Sequence, residues 1–147
     1  MSAAPVPELD PEALDAVCRS FGLRRVILFG SYATGDPPPD ENSDVDVAIS
    51  GGPASSPTAL WECHDALSRL FPGRTLDLVN LADADPLFRW EIMREGVHLW
   101  GDELDFLEFR AFAYRDFVDS ADLRELERTL FRKKMDHVRT RLRAPSA

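Results

Sequence analysis

Two aspartates one residue apart, Asp44 and Asp46, sit in Ser-Asp-Val-Asp-Val-Ala-Ile, where Val45, Val47 and Ile49 take the alternate positions. On an extended strand, residues i and i+2 project from one face, so the two carboxylates stand side by side. Like charges that close are tolerated when solvated, when one keeps its proton, or when a hard divalent cation bridges them, as carboxylates do for Mg²⁺ bound with substrate phosphates. A third acid, Asp77, interrupts Thr-Leu-Asp-Leu-Val, where a lone carboxylate is costly unless it is paired, hydrogen-bonded or beside a metal. Three acids on neighbouring strands make a candidate cation cluster. The competing reading leaves Asp44 and Asp46 at a solvated loop end and Asp77 on an edge strand facing water. Gly30-Ser31, followed by Gly35, breaks an apolar run and presents N–H groups and a hydroxyl beyond a strand end, as loops that hold phosphates do.

The elements that position these residues follow from local pattern. Asp10-Pro11-Glu12 reads as a helix N-cap with proline at the first turn, opening a helix to about Ser20 after a loose arm over residues 1–8. Arg25 to Phe29 has the composition of a buried strand. Residues 36–43, with three prolines, form an exposed loop. Asp44 to Ile49 is the acid-bearing strand, and a loop from Gly51 to Pro57 leads to a helix over 58–71 that Pro72-Gly73 stops. A strand over 75–79 follows. Asp85-Pro86 caps a helix through Arg94, Gly96 ends it, and a short strand covers 97–100. Two helices, 103–118 and 121–143, complete the chain, the second with Leu123, Leu126, Leu130 and Val138 on one stripe.

With 147 residues, 44% hydrophobic and 29% charged, the chain has the profile of one globular domain. That length supports one core and no second catalytic lobe, so a two-lobed site would borrow its other half from a partner. The longest aliphatic-aromatic run, Val26 to Phe29, is far below the ~20 residues of a bilayer span, and residues 1–20 lack a signal-peptide pattern. We expect no membrane association, no export and a cytoplasmic location. The net charge of −9 conceals a gradient: −9 over residues 1–101, −4 over 102–119 and +4 over 120–147. An acidic body argues against nucleic acid as a direct ligand and favours cation-assisted chemistry.

Gly30-Ser31-Tyr32-Ala33-Thr34-Gly35 followed by Ser43-Asp44-Val45-Asp46-Val47 resembles the Gly-Ser and Asp-x-Asp signature of the DNA polymerase β-like nucleotidyltransferases, with Asp77 as the third acid. The short length and early signature resemble its minimal nucleotidyltransferase (MNT) branch, whose members include antitoxins paired with HEPN toxins. The resemblance implies an α+β fold: a small mixed-sheet core over residues 1–101 flanked by helices, and a C-terminal helical extension over 102–147. It implies Mg²⁺, two ions suiting three acids, with Asp44 and Asp46 as ligands and Asp77 in the cluster assisting the attacking hydroxyl. Gly30 and Ser31 would hold the terminal phosphates of ATP. The reaction implied is AMP transfer to a hydroxyl, a tyrosine, of a HEPN-type toxin in a hetero-oligomer. Alternatives are nucleotidylation of a small hydroxylated molecule such as an aminoglycoside, or a decayed antitoxin that only binds. The chain departs from many minimal members in carrying Tyr32 and Thr34 where they have arginines, and in its long proline-rich loop.

Other features read as structural. Cys18 and Cys63 are isolated and expected to be reduced core residues. His64 and His98 have no constellation around them, and Arg132 with His137 matches the HEPN Arg-x4-His element only by chance. Trp61, Trp90 and Trp100 are expected in the core and its seam. Phe106, Phe109, Phe112 and Phe117 are numerous enough to suggest exposed interface aromatics, beside a basic helix face from Arg128 to Arg143.

Overall fold

The computed structural model describes residues 8–52 and 56–143; the arm expected over 1–8 lies almost wholly outside them. Helix α1 (Pro11–Phe21) begins at Asp10, whose carboxylate accepts from the Glu12 amide, and ends at Gly22 in the left-handed region. Strand β1 (Leu23–Phe29) runs into a single helical turn, α2 (Ser31–Thr34). Next come β2 (Val45–Gly51), α3 (Pro57–Ser68), β3 (Leu76–Asn80), a 3-10 turn at Leu81–Asp83, α4 (Pro86–Glu95), β4 (Val97–Gly101), α5 (Glu103–Asp119) and α6 (Ala121–Arg143). The four strands form one sheet in the order β3-β2-β1-β4. β1 pairs antiparallel with β2 and β4, while β2 and β3 are parallel, joined through α3.

Strand alternation sends the apolar residues to two cores. Val45, Val47 and Ile49 join Leu14, Cys18, Val26, Leu28, Cys63 and Leu67 beneath α1 and α3. Ala48 and Ile27 join Leu81, Ile92, Met93, Phe106 and Ala113 beneath α4 and α5. Asp46 therefore shares the second face. Helix α5 is pinned there by a buried cation: Arg25, 5% exposed, donates to Ser50 Oγ at 2.6 Å and to Asp105 Oδ2 at 2.8 Å, and lies 4.2 Å from the Phe109 ring centroid.

Three expectations are corrected. Trp61 is 63% exposed rather than in the core, because Cys63 and Leu67 take the inward positions of α3 and Trp61 stacks over His64 instead. Phe106 is buried, with its ring against His98 at 4.4 Å, so this aromatic belongs to the core and not to a free surface. Strand β1 starts two residues before Arg25, where Leu23 pairs with Gly51. Cys18 and Cys63 are buried and unbonded, as expected. Helix α6 keeps Leu123, Leu126, Leu130, Phe131, Met135 and Val138 exposed. Among the described residues no helix is long and apolar enough to cross a membrane.

Candidate functional site

The end of β1 is shaped by Gly30, at φ 74° and ψ −153°, a conformation open only to glycine. Its carbonyl accepts from the amides of Ala33 at 3.0 Å and Thr34 at 3.1 Å, which winds α2. The Asp46 carboxylate lies directly against it, where any Cβ at position 30 would collide with Oδ2. Two requirements, positive φ and close approach, thus fall on one glycine. Ser31 is half-buried at the first position of α2.

Register brings the acids to this turn. Asp46 is paired with Phe29 on β1 and with Asp77 on β3. Asp46 is half-buried, whereas Asp77 and Asp44, which immediately precedes β2, are exposed. Burial pushes the Asp46 carboxyl up to about 6, and the charges of Asp77 and Asp44 and a hydrogen bond shared with Asp77 add to the shift. Among the described residues no three His, Cys, Asp or Glu side chains gather into a group that could hold a metal alone. The donor set fits Mg²⁺ in another way, since that ion is held by one or two carboxylates and completes its shell with phosphate oxygens and water. A cation here would also offset the burial and the neighbouring charges that raise the Asp46 carboxyl.

The wall beside the acids is aromatic. Phe29 meets Phe88 edge-to-face at 5.9 Å, and Phe88 is placed by α4, whose N-cap Asp85 accepts from the Phe88 amide at 2.8 Å. A contact between two polar residues beside the site escapes a sequence reading. Tyr32 is buried, and its hydroxyl donates to the Asp40 carbonyl at 2.9 Å. Arg74, in the turn before β3, donates to that hydroxyl. No spacing announces a contact between residues 42 positions apart; the one cue is a lone cation just ahead of an acid-bearing strand. His64, expected to be structural, contacts the Leu76 carbonyl at 2.8 Å.

Residues 12–104 match the family model described as Polymerase beta, Nucleotidyltransferase. Over 83 residues the chain is 31% identical to the protein adenylyltransferase MntA of Shewanella oneidensis, which covers 56% of this chain and 58% of that relative. The chain thus aligns with less than two thirds of the relative's length. A crystal structure of a toxin–antitoxin with AMP-PNP matches with a TM-score of 0.67 at 24% identity, over 84% of this chain and 99% of that one. The tri-AMPylated Shewanella oneidensis HEPN toxin in complex with its MNT antitoxin matches at 0.60 and 22% identity, over 82% and 95%. At those identities the two structures establish the fold. Because the family match runs over more than half of the sequence and takes in every strand of the sheet, the chain belongs to the Polymerase beta nucleotidyltransferase family.

Proposed function

We propose that this chain is a cytoplasmic MNT-type antitoxin that moves AMP from ATP to a hydroxyl, a tyrosine, of a HEPN-type toxin and thereby neutralises it. The observation that carries the reading is the seating of Asp46 between the Gly30 backbone and Asp77, which sets two acids beside the glycine turn that in this reading binds phosphate. The adenylyltransferase MntA and the complex holding a tri-AMPylated HEPN toxin support the protein substrate.

In this reading the Ser31 hydroxyl and the amides beside Gly30 hold the terminal phosphates. Asp44 and Asp46 would hold Mg²⁺, which when bound neutralises phosphate charge and aligns the reacting oxygens. Asp77, exposed beside Asp46, takes the proton of the incoming hydroxyl. The hydroxyl oxygen bonds to the α-phosphorus, the bond to the β-phosphate oxygen breaks, and pyrophosphate leaves. The protein's own part is positioning and charge compensation.

The test is incubation with ATP, Mg²⁺ and the cognate HEPN partner, followed by intact mass measurement. AMP increments on the partner and released pyrophosphate are expected, and Asp44→Asn with Asp46→Asn should lower the rate by on the order of 10²-fold or more while the fold is kept. Label from the γ-phosphate on the partner would instead identify a kinase, and full activity of the double variant would remove both acids from the mechanism.

A further inference from the structure

Three segments must meet for the proposed transfer: the Gly30–Ser31 turn, the start of β2 that carries Asp44 and Asp46, and the start of β3 that carries Asp77. They converge on one oxygen. The Asp40 carbonyl accepts from the Ser43 amide at 3.1 Å, from the Tyr32 hydroxyl at 2.9 Å and from Arg74 at 3.4 Å. Arg74 also donates to the Tyr32 hydroxyl, and its guanidinium carbon lies 5.0 Å from the Tyr32 ring centroid. Tyr32 follows Ser31 directly and is 4% exposed, so its ring is fixed by the core while its hydroxyl reaches outward.

The connecting loop has reason to need this anchor. Pro37, Pro38 and Pro39 offer no N–H for a backbone ladder, so side chains must hold the stretch. Asp40 then nucleates a turn, accepting the Asn42 amide on Oδ1 at 2.8 Å while its own amide donates to Ser43 Oγ at 2.9 Å. Asp44 follows. On the other side, the Thr75 carbonyl next to Arg74 accepts from the Val45 amide at 2.8 Å, which ties the approach to β3 to the first residue of β2.

We propose that Arg74 is a positioning residue, acting with Tyr32 and the Asp40 carbonyl to hold the phosphate-side turn and both acid-bearing strand starts in one fixed arrangement. This deepens the AMP-transfer reading and rests on it. A guanidinium suits the task because one of its nitrogens, Nη1, donates to both oxygens while the delocalised planar cation lies over the Tyr32 ring, a combination an ammonium serves less well. None of the three groups need touch the nucleotide. Their effect is on alignment, for which a misplacement of about 1 Å costs about 10²-fold in rate.

Tyr32→Phe, Arg74→Ala and Arg74→Lys, with Arg69→Ala as a control at an exposed cation on the C-terminal end of α3, separate positioning from general stability. For AMP transfer we expect Tyr32→Phe and Arg74→Ala each to lower kcat by about 10-fold to 10²-fold with KM for ATP changed less than about threefold. The double variant should be little worse than either single one, Arg74→Lys should recover part of the loss, and Arg69→Ala should match the wild type. Unchanged kcat in Tyr32→Phe and Arg74→Ala, or losses that add and follow melting temperature, would overturn the proposal. Amide hydrogen exchange on the free proteins gives a second readout at three amides: Ala33 in the turn, Ser43 ahead of β2, and Val45, whose bond to the Thr75 carbonyl ties β2 to the approach to β3. Faster exchange at all three, with the centre of β1 still protected, is expected. If the wild type transfers no nucleotide, the AMP-transfer reading fails by itself, and exchange decides the node: unchanged rates at these amides in Tyr32→Phe would refute it.

Discussion

Asp46 holds its proton until about pH 6, so the occupancy of a cation beside it depends on pH. The sign follows from linkage. The folded state binds this proton more tightly than the unfolded chain, whose carboxyl keeps the ordinary value of 3.8. Without metal, the protein therefore loses stability as pH rises from about 4 to about 6 and stays on the lower level above that. Asp46→Asn removes the effect. Urea melts of the metal-free variant should show a gain of about 1–2 kcal/mol at about pH 8 and little change at about pH 4, solvent screening having reduced the full value of the shift. Equal gains at both pH values would show that charge repulsion is not the cause. With Mg²⁺ and ATP present, transfer should fall below about pH 6 as protons compete with the cation.

At the scale of elements, the joint between β1 and α5 is the place to test how the second core is held. Burial alone would raise the Asp105 carboxyl, but hydrogen bonds and charges from Arg24 and Arg25 outweigh it and hold the group below the usual range. The stability from this pairing is complete above the ordinary carboxylate value and is lost as pH falls through the lowered one. Asp105→Ala strands the Arg25 guanidinium, whose side chain is 6% exposed, and should cost about 3 kcal/mol in denaturant melts. Arg24→Ala, at a side chain 67% exposed, should cost less than about 1 kcal/mol; equal losses would mean that Arg25 finds another partner. Elements set by local chemistry were legible in the sequence. The capped starts of α1 and α4 follow from Asp-Pro pairs whose carboxylates bond amides two or three residues on. The same-face acids follow from strand alternation, and the meeting of Asp46 with Asp77 needed only that their strands be neighbours. What depends on distant packing was not legible. The early start of β1 is set by pairing with Gly51, α2 by the backbone turn at Gly30, and the outward face of Trp61 by which residues of α3 the core could take. The salt-bridged Arg25 and the Arg74–Tyr32 contact likewise join residues far apart in sequence.

The whole molecule divides its labour along the chain. The sheet and its acids lie before α5, α5 closes the second core, and α6 carries an exposed apolar stripe beside Arg128, Arg132, Lys133 and Lys134. Apolar anchors with charge around them suit a protein interface, in which the anchors hold the complex and the charges set approach rate and specificity. Reversing those four cations to Glu should weaken capture and modification of the proposed toxin partner markedly in titration and mass assays. Thermal stability and ATP binding should hardly move, since exposed charges seldom change stability by more than ~0.5 kcal/mol each. Wild-type modification by the quadruple variant at physiological salt would mean that docking lies elsewhere.

Cys18 on α1 and Cys63 on α3 are fully buried in the core these helices share, and burial pushes their thiols up to about 12 and about 11. A thiol so enclosed and so reluctant to ionise is inert to alkylating reagents until the helices part from the sheet. The molecule thus carries its own clock for opening. The rate at which a thiol reagent labels the native protein measures how often the first core is exposed, and any slowing on adding ATP or partner reads out the stabilisation that binding confers.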